Sequence, residues 1–543
     1  MSLDKEQLEA VMDIEGPSVI YAGPGSGKSR CLAYRVCNLI DQGVADESIM
    51  AVTFTNKAVD VIDSRLKTIL GRNHGCVVGT FHSIAARILR RYGDLIGLPQ
   101  NFTIYDSGES FKLLTEINGA LAGKALESLQ KSSNTMTPFD PEVMEVCDEF
   151  RRRMKLHKAV DFNGLVSEAN KLLSRHDITA LLGIDYIMVD EAHDMNPAQM
   201  EFLRLMRTEN VCLIGDINQS IYAFRDATPG IMGSFLGSNP GRTHYLKNNY
   251  RSGEGIVNIS DKLIANNASN IQVSHIPADN SESKIKKISF GTSEEEAEYI
   301  GASIKRLGKS TAVLFRVHGI EFEIIEKLAS LGIEYKTASG TSLIKTTDFL
   351  DTSAYMRLLY NPYDYMAFIR AVSSGANGIG KITIPEVANV MAQGYSVFEV
   401  KHPRMVKFQE SLAKIANLPW VDQIHDVLKL LRSKNNLVYL QTHLLGYTSL
   451  HEFVESNSAP DSDCVSLMTI HQSKGMEFDN VFVIGLEDGM LPHYRAMDME
   501  EERRLLYVAM TRAAKSLHLS YVTSRRVYGR EIMNKRSRFL DEI

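Results

Sequence analysis

Short apolar runs punctuate the chain, and most of them end in a polar or glycine-rich turn. Val19–Ala22, Ile49–Thr55, Val77–Ser83, Ile184–Val189 and Val211–Ile214 are runs of the length and continuity that predict strands buried on both faces. Leu32, Val36, Leu39 and Ile40 recur at helical spacing and predict a helix over roughly 28–41, stopped by Gly43. From Ile84 to about Ala180 the strand–helix alternation lapses, and the pattern predicts helices over 111–121, 141–160 and 165–173. Strand runs return at Ala312–Arg316, Val465–Ile470, Val481–Gly485 and Leu517–Val522, with a helix over 501–512. Between about Tyr363 and Asp463 lies a second helical region, with helices over 405–415, 421–431 and 437–445 and an exit linker at 457–463, NSAPDSD. The pattern therefore predicts an α/β fold of two domains, each carrying a mainly helical insertion. The expected boundaries are 1–88, 181–245, 246–362 and 464–543 for the α/β parts, and 89–180 and 363–463 for the insertions.

Composition narrows this little. A chain of 543 residues exceeds one core and suits several domains. No apolar run approaches the ~18 residues of a membrane span, and the polar start MSLDKEQLEAV does not read as a signal peptide. The six cysteines form no CxxC pair, which argues against a zinc or iron–sulfur site and suits a reducing compartment. A net charge of −6 means that any nucleic-acid surface must be local. The basic cluster Arg151, Arg152, Arg153, Lys155 and Lys158 reads first as a solvated helix face.

The chemistry concentrates at strand ends. After Val19–Ala22 come Gly23, Pro24, Gly25, Ser26, Gly27, Lys28 and Ser29, a phosphate loop between strand and helix. Its glycines let backbone N–H groups face phosphate. Lys28 can reach the outer phosphates, Ser29 can ligate Mg²⁺, and the helix start adds positive potential. Gln7, about twenty residues before Lys28, carries an amide that could read an adenine edge. Asp190 and Glu191 follow the strand run Ile184–Val189. That pair is costly as core but suited to holding a metal (Asp190) and activating water (Glu191). Phe54 and Asn56, and Thr80 and His82, lie where ligands meet open α/β sheets, and an aromatic there can stack a base. Gln219 can sense a γ-phosphate, while Tyr222, Phe224 and Arg225 can face a nucleic-acid strand. Gly375, Gly378 and Gly380 in SGANGIGK resemble a helix–hairpin–helix-like turn able to hold duplex phosphate, or equally a plain turn between helices.

Taken together, AGPGSGKSR, AVTFTNKA, GTFHS, VDEAHD, GDINQSIYAFR, LKNNYRS, LMTIHQSKGMEF and EERRLLYVAMTRA resemble, in order, the motifs of superfamily 1 DNA helicases of the UvrD/Rep/PcrA type. The resemblance implies two RecA-like P-loop NTPase domains, ATP and Mg²⁺ as cofactors, and 3′→5′ movement on single-stranded DNA with separation of duplex at junctions. It implies work in DNA repair, replication or recombination, in the cytoplasm. An ATP-gated clamp that displaces proteins without net unwinding is the alternative. It further implies that Gln7 reads adenine, sandwiched by Arg30 and Tyr250, and that Glu477 meets the ribose. Lys28, Ser29, Asp190 and Glu191 would serve phosphate, Mg²⁺ and water, while Gln219, Arg251 and Arg512 approach the γ-phosphate. Phe54, His82, Tyr222, Phe224, Arg225 and His471 would line the single-strand track. The chain departs from the family at His193, where Gln is usual, at Ile217, where an acid is usual, and at Phe224, which offers a smaller ring than the usual Trp. The sequence closes on SRFLDEI, so neither the family's C-terminal tail nor a nuclease module is expected.

Overall fold

A computed structural model describes residues 3–223, 226–228, 230–238, 241–268, 275–278, 283–308, 310–337, 347–374, 379, 383–431, 464–527 and 530–543. The chain divides into two compact units. One holds Met1–Phe81, Thr179–Gly340 and Asp461–Ile543; the other holds His82–Ile178 and Thr341–Pro460.

Among its described residues the first unit contains two large sheets and a short parallel pair, Asn248–Asn249 with Ile276–Pro277. One is six-stranded and wholly parallel, ordered Val77–Thr80, Ile49–Thr53, Tyr186–Val189, Asn210–Gly215, Ser18–Ala22, Arg242–Leu246. Ser18–Ala22 is buried at every position, as expected for a parallel strand covered on both faces. Its register sets Tyr21 opposite Gly215, so the loop after one strand lies beside the loop after the other.

The second sheet runs Lys284–Thr292, Ala513–Val527, Phe478–Val483, Thr311–Phe315, Val465–Thr469, Tyr335–Thr337, with Arg530–Met533 added antiparallel on Ala513–Val527. Helices Glu254–Ile264 and Met499–Met510 contribute Ile256, Leu263, Leu505 and Val508 to one core against it. Helices Ser293–Leu307 and Phe322–Ser330 contribute Ile300, Ile304, Ile324 and Leu328 to another. A charged triad is sealed into this domain. Arg525 Nη1 lies 2.8 Å from Glu296 Oε2, and Nη2 lies 2.7 Å from Glu487 Oε1, with all three side chains buried.

In the second unit, segments from both helical regions share one core with helix Thr347–Tyr360, which lies before the boundary expected at 363; the core includes Leu113, Phe150, Tyr355, Phe368, Phe408 and Leu412. Arg357 donates to Glu109 at 2.6 Å and to Asp364 at 2.9 Å, tying the two regions together by charge. The region is not purely helical, since Thr103–Tyr105 and Ala159–Asp161 pair as a short parallel ladder. The helix expected over 141–160 is a 3₁₀ turn, Pro141–Val143, and a helix, Met144–Leu156. Lys158, at φ 49°, turns the chain before Val160 enters its strand. The basic cluster is largely paired: Arg152 and Arg153 bind Glu149, and Arg151 lies 4.1 Å over the Phe139 ring. Two further expectations shift. The third strand ends at Thr80, so His82 sits in the first turn of helix Phe81–Tyr92, and helix Met499–Met510 ends before Arg512. The SGANGIGK glycines, the helix over 437–445 and the linker over 457–463 lie outside the described residues. Among the described residues, no helix is long and apolar enough to cross a membrane.

His157 gives this unit an acid sensitivity. It is fully buried, stacks on Tyr365 at 4.8 Å, and among the described residues neither ring nitrogen has a hydrogen-bond partner. Burial pushes its pKa down to about 4. The unfolded chain then binds this proton more tightly than the folded one, so stability is full above pH ~6.5 and is lost as pH falls from there toward 4. The loss should reach about 3 kcal/mol. Denaturant melts of the wild type and of His157→Phe at pH 7 and pH 4.5 should show this part of the acid loss vanishing in the variant.

Candidate nucleotide site between the two sheets

The loop after Ser18–Ala22 turns through Gly25 (φ 67°) and Gly27 (φ 81°) into helix Lys28–Asp41. Both glycines occupy the left-handed region that side chains resist. A Cβ on Gly25 would also lie 2.6 Å from Asn249 Oδ1 and 2.7 Å from Arg251 Cβ, so the entry to the second sheet's domain packs directly on this loop. Tyr250 N donates to Gly25 O at 2.9 Å. Lys28 Nζ donates to the loop's own carbonyls, Ala22 O at 3.2 Å and Gly23 O at 3.3 Å, and Ser26 Oγ closes the turn on Gly23 O at 2.7 Å. Gln7 is buried, its amide nitrogen donating to Ser26 O at 2.9 Å while its oxygen accepts from Asp4 N at 3.2 Å. The amide thus joins helix Lys5–Met12 to the loop. Tyr250 is half exposed, with its hydroxyl bonded to the Asp4 carboxylate, and Arg30 lies 5.5 Å over the Tyr34 ring.

Asp190 directly follows the strand Tyr186–Val189 and accepts from Ser29 Oγ at 2.7 Å. Burial, then the charge of Glu191, raises its pKa to about 6. Two hard oxygen donors meeting in a buried, electronegative spot fit Mg²⁺. Glu191 holds a left-handed backbone (φ 53°), a costly conformation for a side-chain-bearing residue and one that clusters at active sites. Burial would raise the Glu191 carboxyl, but Lys28, Lys474, Arg512 and Arg251 outweigh it and hold its pKa down. Its Oε2 is buried and, among the described residues, has no hydrogen-bond partner.

His193 is fully buried. Asp216 N–H donates to its Nδ1 at 2.9 Å, and its Nε2 lies 3.5 Å from Glu191 Oε2 and 2.9 Å from Lys474 Nζ. Burial, then the charges of Lys474 and Lys28, keeps the ring neutral. Lys474 Nζ also donates to Asp194 Oδ2 at 2.5 Å and to Gln219 O at 2.7 Å.

The segment 216–223 is held from the second sheet's domain at several points. Gln219 Nε2 donates to Asp216 at 2.7 Å, while its Oε1 accepts from Arg512 Nη2 at 3.0 Å. Arg504 donates to Ser220 O at 2.8 Å, Glu501 accepts from Ala223 N at 3.0 Å, and Tyr222 OH donates to His471 O at 3.1 Å. Arg251 donates to Glu477 at 2.9 Å and to Thr511 O at 3.1 Å. Burial, and after it repulsion by Arg251, pushes the Arg512 guanidinium down to about 9, still charged at neutral pH.

Lys28, Ser29, Asp190, Glu191, Gln219 and Arg512 are thus linked through direct bonds and shared charge. Of the residues expected on a nucleic-acid track, Phe54 is half-buried with its ring edge-on to Phe81 at 5.9 Å, Asn56 is exposed at a helix start, and Thr80 is buried. His82 belongs to the other unit, where it stacks on Phe162 at 4.3 Å. Phe224 and Arg225 lie outside the described residues. Lys474, Arg504 and Glu501 carry contacts the sequence reading did not assign. All three fall inside motif stretches, but their partners are hundreds of residues away.

Two family models match the chain: the UvrD/REP helicase N-terminal domain at residues 3–128 and 120–239, and the UvrD-like helicase C-terminal domain at 244–434 and 407–524. The chain is 30% identical over 639 aligned residues to the ATP-dependent DNA helicase PcrA of Bacillus subtilis, covering all of this chain and 85% of that protein. It is 29% identical to the proteins of the same name from Staphylococcus epidermidis and Staphylococcus aureus, covering all of this chain and 86% of each.

Proposed function

The chain belongs to the UvrD/REP helicase family, and from that premise we infer an ATP-dependent DNA helicase that moves 3′→5′ on single-stranded DNA and separates duplex at junctions. The observation that carries the reading is the 3.0 Å bond from Arg512 to Gln219, which ties the second α/β domain to the first beside Asp190 and Glu191. ATP would seat its phosphates on the loop Gly23–Gly27, displacing Lys28 from the loop carbonyls toward the outer phosphates. Ser29 and Asp190 would hold Mg²⁺, which offsets phosphate charge when bound. Glu191 orients and deprotonates the attacking water, with its unbonded Oε2 free for that contact. Arg251 and Arg512 stabilise charge on the γ-phosphate. Adenine lies against Tyr250 and Arg30, with Gln7 at its edge and Glu477 near the ribose. Tyr222 sits three residues from Gln219, so nucleotide state and DNA contact share one short segment. Phe54, Asn56, Thr80, His82, Phe224, Arg225 and His471 complete the strand contacts in this reading. The six-segment division of two RecA-like domains and two insertions belongs to the same proposal, as does a cytoplasmic site of action in DNA repair, replication or recombination.

Adding single-stranded DNA should raise ATP turnover about 10–100-fold, the range of ordinary coupling free energies. A duplex with a 3′ tail should be unwound and one with a 5′ tail should not. Equal turnover with and without DNA would overturn the coupling. Stimulated turnover with no strand separation on either substrate would identify a clamp instead.

A further inference from the structure

His275 lies outside every motif stretch, yet its ring is pressed against the phosphate loop. An ideal Cβ on Gly23 would lie 2.1 Å from His275 Nε2 and 2.2 Å from Cδ2, and the third nearest atom, at 3.3 Å, is also in that ring. The ring is not free to swing away. Its Nδ1 is hydrogen-bonded to Asp261 Oδ1 at 2.6 Å, its backbone N donates to Asp261 Oδ2 at 3.1 Å, and its side chain is almost wholly buried. Asp261 sits on helix Glu254–Ile264 of the second α/β domain. The next residues, Ile276–Pro277, pair in parallel with Asn248–Asn249, whose Asn249 side chain abuts Gly25. Burial alone would lower the pKa of the His275 ring, but the Asp261 bond and charge outweigh it and hold it above the ordinary imidazole value.

Gly23 also anchors the turn of the loop. Its carbonyl accepts from Ser26 N at 3.3 Å, from Ser26 Oγ at 2.7 Å and from Lys28 Nζ at 3.3 Å. Whatever fixes Gly23 therefore fixes the carbonyl that holds Lys28 back from the phosphates.

We propose that His275, held by Asp261, is a positioning residue for ATP binding: its ring braces Gly23 from the second α/β domain and sets the phosphate loop in register with that domain. The proposal rests on ATP binding at this loop. It explains why a glycine is needed at 23, where the backbone does not take the positive φ that favours glycine at 25 and 27. Alanine is conformationally acceptable there, and the crowding comes from one ring.

A double-mutant cycle isolates that contact. Gly23→Ala should raise KM for ATP about tenfold or more through overpacking against a ring that cannot move. His275→Ala should raise KM about three- to tenfold with kcat changed less, because a positioning contact is lost and no group that touches the reacting atoms is removed. The decisive arm is the double variant. With the ring gone, the alanine methyl has room, so Gly23→Ala in the His275→Ala background should cost less than about twofold. Asp261→Asn, which leaves the ring in place but loosens its anchor, should give a smaller KM rise than His275→Ala and partly relieve Gly23→Ala. Fluorescent-nucleotide binding on each folded variant reports the same effects without turnover. Losses that multiply in the double variant, or a Gly23→Ala protein that binds ATP like the parent, would overturn the brace. A parent protein with no ATP turnover would instead overturn the helicase reading on which it rests.

Discussion

Arg512→Ala should bind ATP within a few-fold of the parent yet lose about 10³–10⁵ in DNA-stimulated turnover, the worth of an arginine finger in phosphoryl transfer. The guanidinium is almost wholly buried, just past the end of helix Met499–Met510 and, among the described residues, without an ion pair to the glutamates at that helix's start. Among the described residues, four of its five N–H donors have an acceptor: Nε on Val508 O, Nη1 on Met476 O, and Nη2 on Gln219 Oε1 and Thr511 Oγ1. The first two tie the fork to its own domain, and the Gln219 bond aims it at the other. A planar fork can hold that aim while charge grows on the γ-phosphate. Arg512→Lys should therefore recover little, since one ammonium cannot keep both anchors and the aim. Nucleotide binding measured beside turnover separates the roles. Turnover within a few-fold of the parent in Arg512→Ala would refute a mechanism built from both domains.

Arg525→Ala should cost about 3–5 kcal/mol of stability, because it strands two buried carboxylates that share one cation. Glu296 and Glu487 are both buried, and burial already raises Glu487 despite its Arg525 bonds. Ser520 Oγ donates to Glu296 and Val522 N to Glu487, so the strand Ala513–Val527 holds both acids by hydrogen bonds. Replacing the whole triad by apolar residues of similar volume should restore most of the loss, since the penalty is the uncompensated charge rather than the missing attraction. Urea unfolding of the single and triple variants would test this. An unchanged midpoint in Arg525→Ala would show that water reaches the triad.

The α/β core was legible because a parallel strand buried on both faces reads as an unbroken apolar run, and SVIYA, IMAVT and NVCLIG each do. The phosphate loop was legible from its glycines. Boundaries were less so. Nothing at Lys158 announces a left-handed residue, so the pattern carried a helix through to Val160. The pattern over 501–512 suggested that Arg512 is helical, but Thr511 caps the helix and Ala513 already begins a strand. The site was readable as a set of residue types and not as a set of contacts. His193 announced itself only as a departure from Gln, since its neighbour Lys474 lies 281 residues away. His275 gave no signal at all, because what distinguishes it is a glycine on the other domain.

The strand order of the first sheet also governs how this chain can be made. Ser18–Ala22 lies between Asn210–Gly215 and Arg242–Leu246, so the segment that leads into the phosphate loop leaves the ribosome about 190 residues before its first partner. At roughly 5–20 residues per second that is a wait of about 10–40 s, during which an apolar strand with two open edges is exposed to solvent. The second sheet repeats the delay, since Thr311–Phe315 takes both neighbours from beyond residue 464. Nascent chains of this protein should therefore depend on holdase chaperones until late in synthesis. A ribosome stall before residue 210 would leave the nucleotide site unformed, however much of its signature had already been translated.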